Sequence, residues 1–459
     1  MSMLVCDQRT KAGFLAWGRW IVGCTFTAFL PAVANAETCG WRGDGTGRFT
    51  TAQPPTNWSQ NSDNILWKIP VGSGYSSPVV SGNRLFLTAP PSDVICFDAG
   101  DGTERWRQTV DYKVALGEAL ANQITKTQAD LESEKRAIGK QLEQLRKSDP
   151  QSPELEQLKQ QQKQVEDRRR EFQRQYQPEK RGGAGNTAAT IICDGERLFA
   201  MFGTGIITAL NVDGTRLWAR HLETPQEGFG HAASPLLAGG HLIVHIQQLT
   251  ALDPATGKTV WRTDLPAKFG TPAVARIDGQ DVLITPSGAV VAAEDGRLLA
   301  TKQFQLSHNS PLLHDGIIYA HESGKVKAFR LPDSLASPVE LELLWETSGA
   351  RDQRMSSAVF HDGLLYAVGR RGILDVTDAT TGESVYRKRL DIGEFFASPA
   401  LAGGLIFSAS RNGETLVLRP GRAFDQVALN PLERASATPL FAERRMYLRT
   451  DKALYCIGE

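Results

Sequence analysis

The chain has 459 residues, and its 51 Lys and Arg are balanced by 51 Asp and Glu, so its net charge does not point to a nucleic-acid protein. Charged residues make up 22% and hydrophobic ones 41%, a globular balance that excludes a disordered chain. The 43 glycines and 23 prolines predict many turns and therefore many short strands.

Residues 1–36 read as a secretory signal peptide. Arg9, Lys11 and Arg19 form a basic start, Trp20 to Leu30 an apolar run, and Ala34-Asn35-Ala36 a small-x-small cleavage site. The apolar run is short for a bilayer span. Two alternatives stand beside cleavage after Ala36: an uncleaved anchor, and acylation of Cys24 in the lipobox-like Ile21-Val22-Gly23-Cys24. Membrane association is expected only if Cys24 is lipidated. The mature chain is expected to be exported, periplasmic or extracellular. Its cysteines, Cys39, Cys96, Cys193 and Cys456, are far apart and form no C-x-x-C, so they suggest neither a zinc site nor a redox pair. They read as buried strand cysteines, or as one disulfide whose pairing the sequence leaves open.

An N-terminal arm, residues 37–64, opens with Trp41-Arg42-Gly43-Asp44-Gly45-Thr46-Gly47. A repeat then occupies 65–112 and 182–459. Each unit begins with a small residue and Pro, followed by an apolar run, a Gly turn and a second apolar run. Ser77-Pro78 opens the first unit, and Ser234-Pro235, Thr271-Pro272, Ser310-Pro311, Ser398-Pro399 and Thr438-Pro439 open others. Copies at Ala188-Ala189 and Ser357-Ala358 lack the proline, which brings the count to eight. From Pro235 onward the starts are about 37 to 47 residues apart, a blade-sized period. A second signature follows within the unit, fullest from Ala251 to Trp261 as A-L-D-P-A-T-G-K-T-V-W. Its Asp caps backbone N–H groups, its Gly takes positive φ, and its Trp fills the wedge between neighbouring sheets. Trp67, Trp106, Trp218, Trp261 and Trp345 are assigned to this blade docking. The last unit stops one strand short at Tyr455-Cys456-Ile457, and Ile65 to Ile69 supplies the missing strand from the N-terminal side. The predicted fold is an all-β, eight-bladed propeller of four-stranded blades, closed by that strand.

One insertion, residues 113–181, breaks the period. Leu120, Ile124, Leu131, Ile138, Leu142 and Leu145 fall at helical spacing, as do Leu155, Leu158, Val165, Phe172 and Tyr176 after a Pro-containing turn. The pattern predicts an α-helical coiled-coil hairpin of two helices of about 30 residues, reaching about 45 Å. It reads as an arm for a protein partner or for self-association, or else as an elaboration packed on the propeller or a solvated spacer. Arg168-Arg169-Arg170 is interleaved with acids and reads as a solvated helix face, so no nucleic-acid partner is expected.

The Ala251–Trp261 signature resembles the pyrroloquinoline-quinone (PQQ)-like propeller repeat superfamily, which includes quinoprotein alcohol dehydrogenases, an outer-membrane protein-assembly lipoprotein and secreted propellers headed as this chain is at Trp41. The resemblance implies a propeller. For the dehydrogenases it further implies PQQ beside a calcium ion, with a catalytic Asp and often a disulfide between adjacent cysteines. No Cys-Cys pair and no acidic cluster at the mouth positions matches that pattern, so no cofactor or metal is expected. His241 and His245 face one side of a strand without a third ligand. There is no phosphate loop, nucleophile elbow or H-E-x-x-H, and no catalytic residue is assigned.

The residues just before each innermost strand should ring one channel mouth: Tyr75, Asn186, His231, Phe269, His308, Arg354, Phe395 and Arg434, to within one position. Aromatic, imidazole and guanidinium groups there would suit an anionic or planar ligand. The expected function is a non-catalytic protein-binding scaffold, working through the helical hairpin or one propeller face. The alternative is a channel-mouth ligand-binding protein or a degenerate quinoprotein oxidoreductase.

Overall fold

The computed structural model describes residues 38–177, 185–226, 231–335 and 339–459; the expected signal segment and Cys24 lie outside them. The repeat folds into eight antiparallel sheets in chain order: blade 1 (79–109), blade 2 (192–221), blade 3 (236–263), blade 4 (273–300), blade 5 (312–348), blade 6 (359–389), blade 7 (400–431) and blade 8 (440–458). Each runs from a short inner strand outward. The chain supplies three strands to blade 8, and strand β2 (Ile65–Pro70) completes it, with Lys68 opposite Tyr455. The ring is therefore clasped by sequence-distant strands. A fifth strand was not foreseen: β1 (Arg48–Phe49) of the N-terminal arm pairs in parallel with the inner strand Ala400–Ala402 of blade 7.

The repeat signature explains how blades meet. Asp253 Oδ1 accepts from Thr256 N at 2.7 Å and Thr256 Oγ1 at 2.8 Å, and Gly257 follows with φ near +69°. That turn lets the indole of the preceding blade lie on the glycine, where a side chain would collide: a Cβ on Gly257 would sit 2.7 Å from Trp218. Each docking indole also donates to a carbonyl of the next blade. The pairs are Trp67 to Ala99 (3.3 Å), Trp106 to Val212 (3.1 Å), Trp218 to Pro254 (2.9 Å), Trp261 to Ala293 (3.0 Å) and Trp345 to Ala379 (3.1 Å).

A second junction lies near the axis. The residue that leads into each inner strand, before a proline in six of the eight blades, carries a hydroxyl, and seven of these hydroxyls accept from the backbone N–H of the counterpart one blade earlier. Ser77 N donates to Thr190 Oγ1, Thr190 N to Ser234 Oγ, Ser234 N to Thr271 Oγ1, Thr271 N to Ser310 Oγ, and Ser310 N to Ser357 Oγ. Ser357 N to Ser398 Oγ and Ser398 N to Thr438 Oγ1 continue the belt, all at 2.8–3.0 Å. At the seam between blades 8 and 1 the fully buried Arg449 adds its own ties, donating through Nη1 to Ser76 Oγ at 2.5 Å and through Nη2 to Gly72 O at 2.7 Å. Burial pushes its guanidinium down to about 9.

The insertion forms α1 (Tyr112–Leu116), α2 (Glu118–Ser148) and α3 (Glu154–Gln175). The 31 residues of α2 span about 46 Å. Ile124, Leu131 and Ile138 are buried at seven-residue spacing, and Ile138, Leu142, Leu155 and Val165 form one apolar cluster. Arg168–Glu134, Arg169–Glu132 (3.0 Å) and Lys135–Glu166 (3.6 Å) pair the two helices along their exposed flanks. Helix α3 has 22 residues, shorter than the expected 30. It stops at Gln175 because Tyr176 turns onto the propeller, where its ring meets Tyr112 at 6.0 Å and His221 at 5.7 Å.

Candidate functional site

In a four-stranded meander the inner strand starts, and the outer strand ends, on the same face. The connections between blades and the turns between second and third strands therefore share one face, and the helical hairpin emerges there between blades 1 and 2. This hairpin face also carries the eight expected mouth residues. The hairpin is anchored on it through its base. Tyr112 Oη donates to Gln177 O at 2.9 Å, Thr224 Oγ1 donates to Gln175 O at 2.5 Å, and Gln128 Nε2 donates to Tyr176 O at 3.4 Å.

The expected ring divides into presented and buried groups. Phe269 and His308 are brought together, stacked at 4.8 Å with planes 1° apart, and Phe269 N donates to Ser307 O at 3.1 Å. Tyr75 meets Phe396 edge-on at 6.0 Å. Arg434 is exposed, 3.9 Å from Asp451. The other four are structural. Phe395 is wholly buried among the core residues between blades 6 and 7, so the expected assignment shifts by one residue to Phe396. The physical reason is side-chain alternation in extended chain: one of two neighbouring phenylalanines faces the core, and the other faces the mouth. Asn186 is buried and donates through Nδ2 to Pro91 O at 2.5 Å, tying two turns. Arg354 is buried in an ion pair with Asp375 at 3.1 Å, which Arg387 shares at 2.9 Å. Burial pushes the Asp375 carboxyl up, but Arg387, the Ala350 N–H and Arg354 together hold it below its ordinary value. His231 is buried, and burial, with His245 nearby, lowers it to about 4. It is a neutral core imidazole at physiological pH. His245 accepts the same fate, buried with Nε2 3.1 Å from Leu265 O, while His241 lies on the outside near Glu294 O.

Sequence reasoning missed groups supplied by the turns between second and third strands. Arg411 lies over the Phe396 ring at 4.8 Å and Arg370 at 5.7 Å, and both guanidiniums hold Glu394, at 3.6 and 2.9 Å. With Tyr75 they form an aromatic and cationic platform. The signal was present in Gly369-Arg370-Arg371-Gly372 and Arg411-Asn412-Gly413, glycine turns that must fall on this face once four strands per unit are accepted.

The opposite end of the channel is filled by the N-terminal arm. Cys39 pairs with Cys193 at the end of the blade 2 inner strand, and β1 lies along the blade 7 inner strand. Between them Arg42, in the left-handed region at φ 56°, reaches into the channel wall. Its Nη2 donates to Ala358 O at 2.8 Å and Pro399 O at 3.0 Å, and burial lowers the guanidinium to about 9. Gly47 lies against this side chain, where a Cβ would be 2.4 Å from Nη2. The arm leaves a cavity of about 280 Å³ between Trp41 and the inner strands of blades 3 to 5. Trp58 then stacks on Phe407 at 6.4 Å before the chain enters β2.

Comparison with known proteins gives a consistent picture. A family model described as outer membrane protein assembly factor BamB matches residues 56–125 and 180–335. The outer membrane protein assembly factor BamB of Yersinia pestis is 25% identical over 228 residues, which cover 46% of this chain and 55% of that protein. The chain thus spans about half the length of this curated relative. Among solved structures, BamB from Moraxella catarrhalis superposes with a TM-score of 0.52 at 11% identity, over 85% of this chain and 95% of that one. A europium-containing methanol dehydrogenase superposes with a TM-score of 0.56 at 12% identity, over 89% of each chain. At such identity these structures show a common fold and nothing of activity. The repeat, the ring of eight blades and these matches together make the chain a PQQ-like β-propeller that resembles the outer membrane protein assembly factor BamB.

Proposed function

We propose that this chain is an exported, non-catalytic scaffold that holds protein partners on its hairpin face. The observation that carries this reading is the asymmetry of the ring: one face presents a helical hairpin and an aromatic–cationic platform, while the arm fills the channel from the other. Likeness to a protein-assembly factor supports the same class of role, and an exported location with it.

A second reading, a small-ligand protein using the mouth, is favoured by Tyr75, Phe396, Arg370 and Arg411. Stacked rings and guanidiniums suit an anionic, planar molecule. They do not suit a calcium-held quinone, because the carboxylates here are already engaged: Glu394 by Arg370 and Arg411, Asp375 by Arg354 and Arg387.

The test is deletion of 118–175, bridged by a short Gly-Ser linker, in the full chain. In vivo cross-linking in the source cells should lose its adducts while the propeller melts as before. Adducts that persist in full would overturn the hairpin as the gripping surface. In parallel, PQQ with calcium is titrated while melting is followed; a saturable rise would favour the ligand reading instead.

A further inference from the structure

Four cysteines fall among the described residues, and two of them face one another. Cys39 in the arm and Cys193 in blade 2 are direct partners across an antiparallel bridge: Cys39 N donates to Cys193 O at 2.9 Å, and Cys193 N donates to Cys39 O at 2.8 Å. Residues opposed in this way point their side chains to the same side, with Cα atoms about 5.5 Å apart. A disulfide spans Cα separations of roughly 4.4–6.8 Å. The two sulfurs are also anchored in place. Cys39 Sγ donates to Val80 O at 3.3 Å, and Gly195 N donates to Cys193 Sγ at 3.3 Å.

The surroundings separate this pair from the other two thiols. Cys96 and Cys456 are buried in strand interiors, and burial pushes each up to about 11. Cys193 goes the other way, to about 7, because the hydrogen bond with the Cys39 thiol outweighs burial, helped by the Gly195 N–H and Ser81. Cys39 is half-buried, whereas Cys193 is fully buried.

We infer that Cys39 and Cys193 form a redox latch, in which a disulfide between them pins the N-terminal arm into the channel. The oxidant is a disulfide-class molecule. The Cys39 thiolate attacks one of its sulfurs and expels a thiolate, leaving a mixed disulfide on Cys39. The Cys193 thiolate then attacks the Cys39 sulfur and expels the second thiolate. The protein pair loses two electrons and its two thiol protons; the oxidant's S–S bond is reduced to two thiols. Reduction reverses both steps and leaves the arm held by its hydrogen bonds and by Arg42.

The experiment uses the full chain equilibrated with oxidised or reduced glutathione. Digestion without reductant after blocking free thiols should yield a peptide joining Cys39 to Cys193, lost on reduction. Limited trypsin cleavage after Arg42 and Arg48, which needs the arm out of the channel, should slow about tenfold or more in the oxidised protein. Cys39→Ser should cleave at the reduced wild-type rate in both conditions, and Cys193→Ser should behave alike. Full alkylation of both thiols in the oxidised folded protein would overturn the pairing, as would a peptide joining either cysteine elsewhere. A joined peptide with unchanged cleavage would overturn the latch.

Discussion

Replacing Trp261 by Ala asks what holds one blade to the next. Its indole is 9% exposed, lies on Gly296 and donates to Ala293 O at 3.0 Å. Truncating a buried Trp costs about 3–5 kcal/mol. Trp261→Phe keeps most of the apolar area and loses the N–H donor, so it should cost about 1–2 kcal/mol. Trp67 is 8% exposed and should follow Trp261, while the half-buried Trp106, Trp218 and Trp345 should cost less on truncation. Gly296→Ala tests the same contact from the other side. Its Cβ would be 2.5 Å from Trp261 Cε3 at a φ of +74°, so it destabilises in the native background. In the Trp261→Ala background the φ cost and a 2.9 Å approach to Thr263 Oγ1 remain but the clash with the indole is gone, so the two changes should be less than additive. Guanidinium unfolding followed by circular dichroism measures each difference at constant m-value. A Trp261→Ala variant within about 1 kcal/mol of wild type, or strict additivity with Gly296→Ala, would refute the docking argument.

Buried neutral imidazoles predict a specific pH dependence. Burial lowers His231 to about 4 and His321 to about 3, so the unfolded chain binds more protons than the folded one below the ordinary histidine value. Their contribution, on the order of 3 kcal/mol for His231 and 5 kcal/mol for His321, is fully present above about pH 6.5 and is lost as pH falls toward 4 and 3. Denaturant titrations between pH 7 and 4 should show this loss, and His231→Gln with His321→Gln should flatten it; a flat wild-type profile would contradict it. Asp375→Ala leaves the buried Arg354 without its carboxylate and should cost about 3–5 kcal/mol, measured by thermal unfolding. Leu142→Asp places a charge in the apolar cluster between α2 and α3; helical circular dichroism should fall while the propeller transition stays in place. Arg42→Gln removes donors from Ala358 O and Pro399 O, and should speed hydrogen exchange across 39–49 more than anywhere in blades 3 to 5.

The sequence by itself determined the eightfold ring, its closure by the strand at Ile65 to Ile69 and the inserted helical pair. These are written locally. A glycine turn after Asp, an indole four residues beyond the glycine and apolar residues every seventh position each act over less than two turns of chain, and repetition makes them readable. The hydroxyl before each proline was visible too, but its acceptor role spans two blades and needed the ring to give it a partner. Tertiary structure alone decided the rest. Whether Phe395 or Phe396 faces the mouth depends on which side of an extended segment meets the core. Asn186, His231 and Arg354 were removed from the mouth by packing, since each polar group found its burial in a neighbouring turn, strand or ion pair. Arg370 and Arg411 came together over one ring from turns 41 residues apart in sequence. The arm's place in the channel, and with it the meeting of Cys39 and Cys193, arises because an unpaired inner edge on the axis accepts whatever strand can reach it. No local pattern encodes that pairing; it exists only once the ring has closed around the arm.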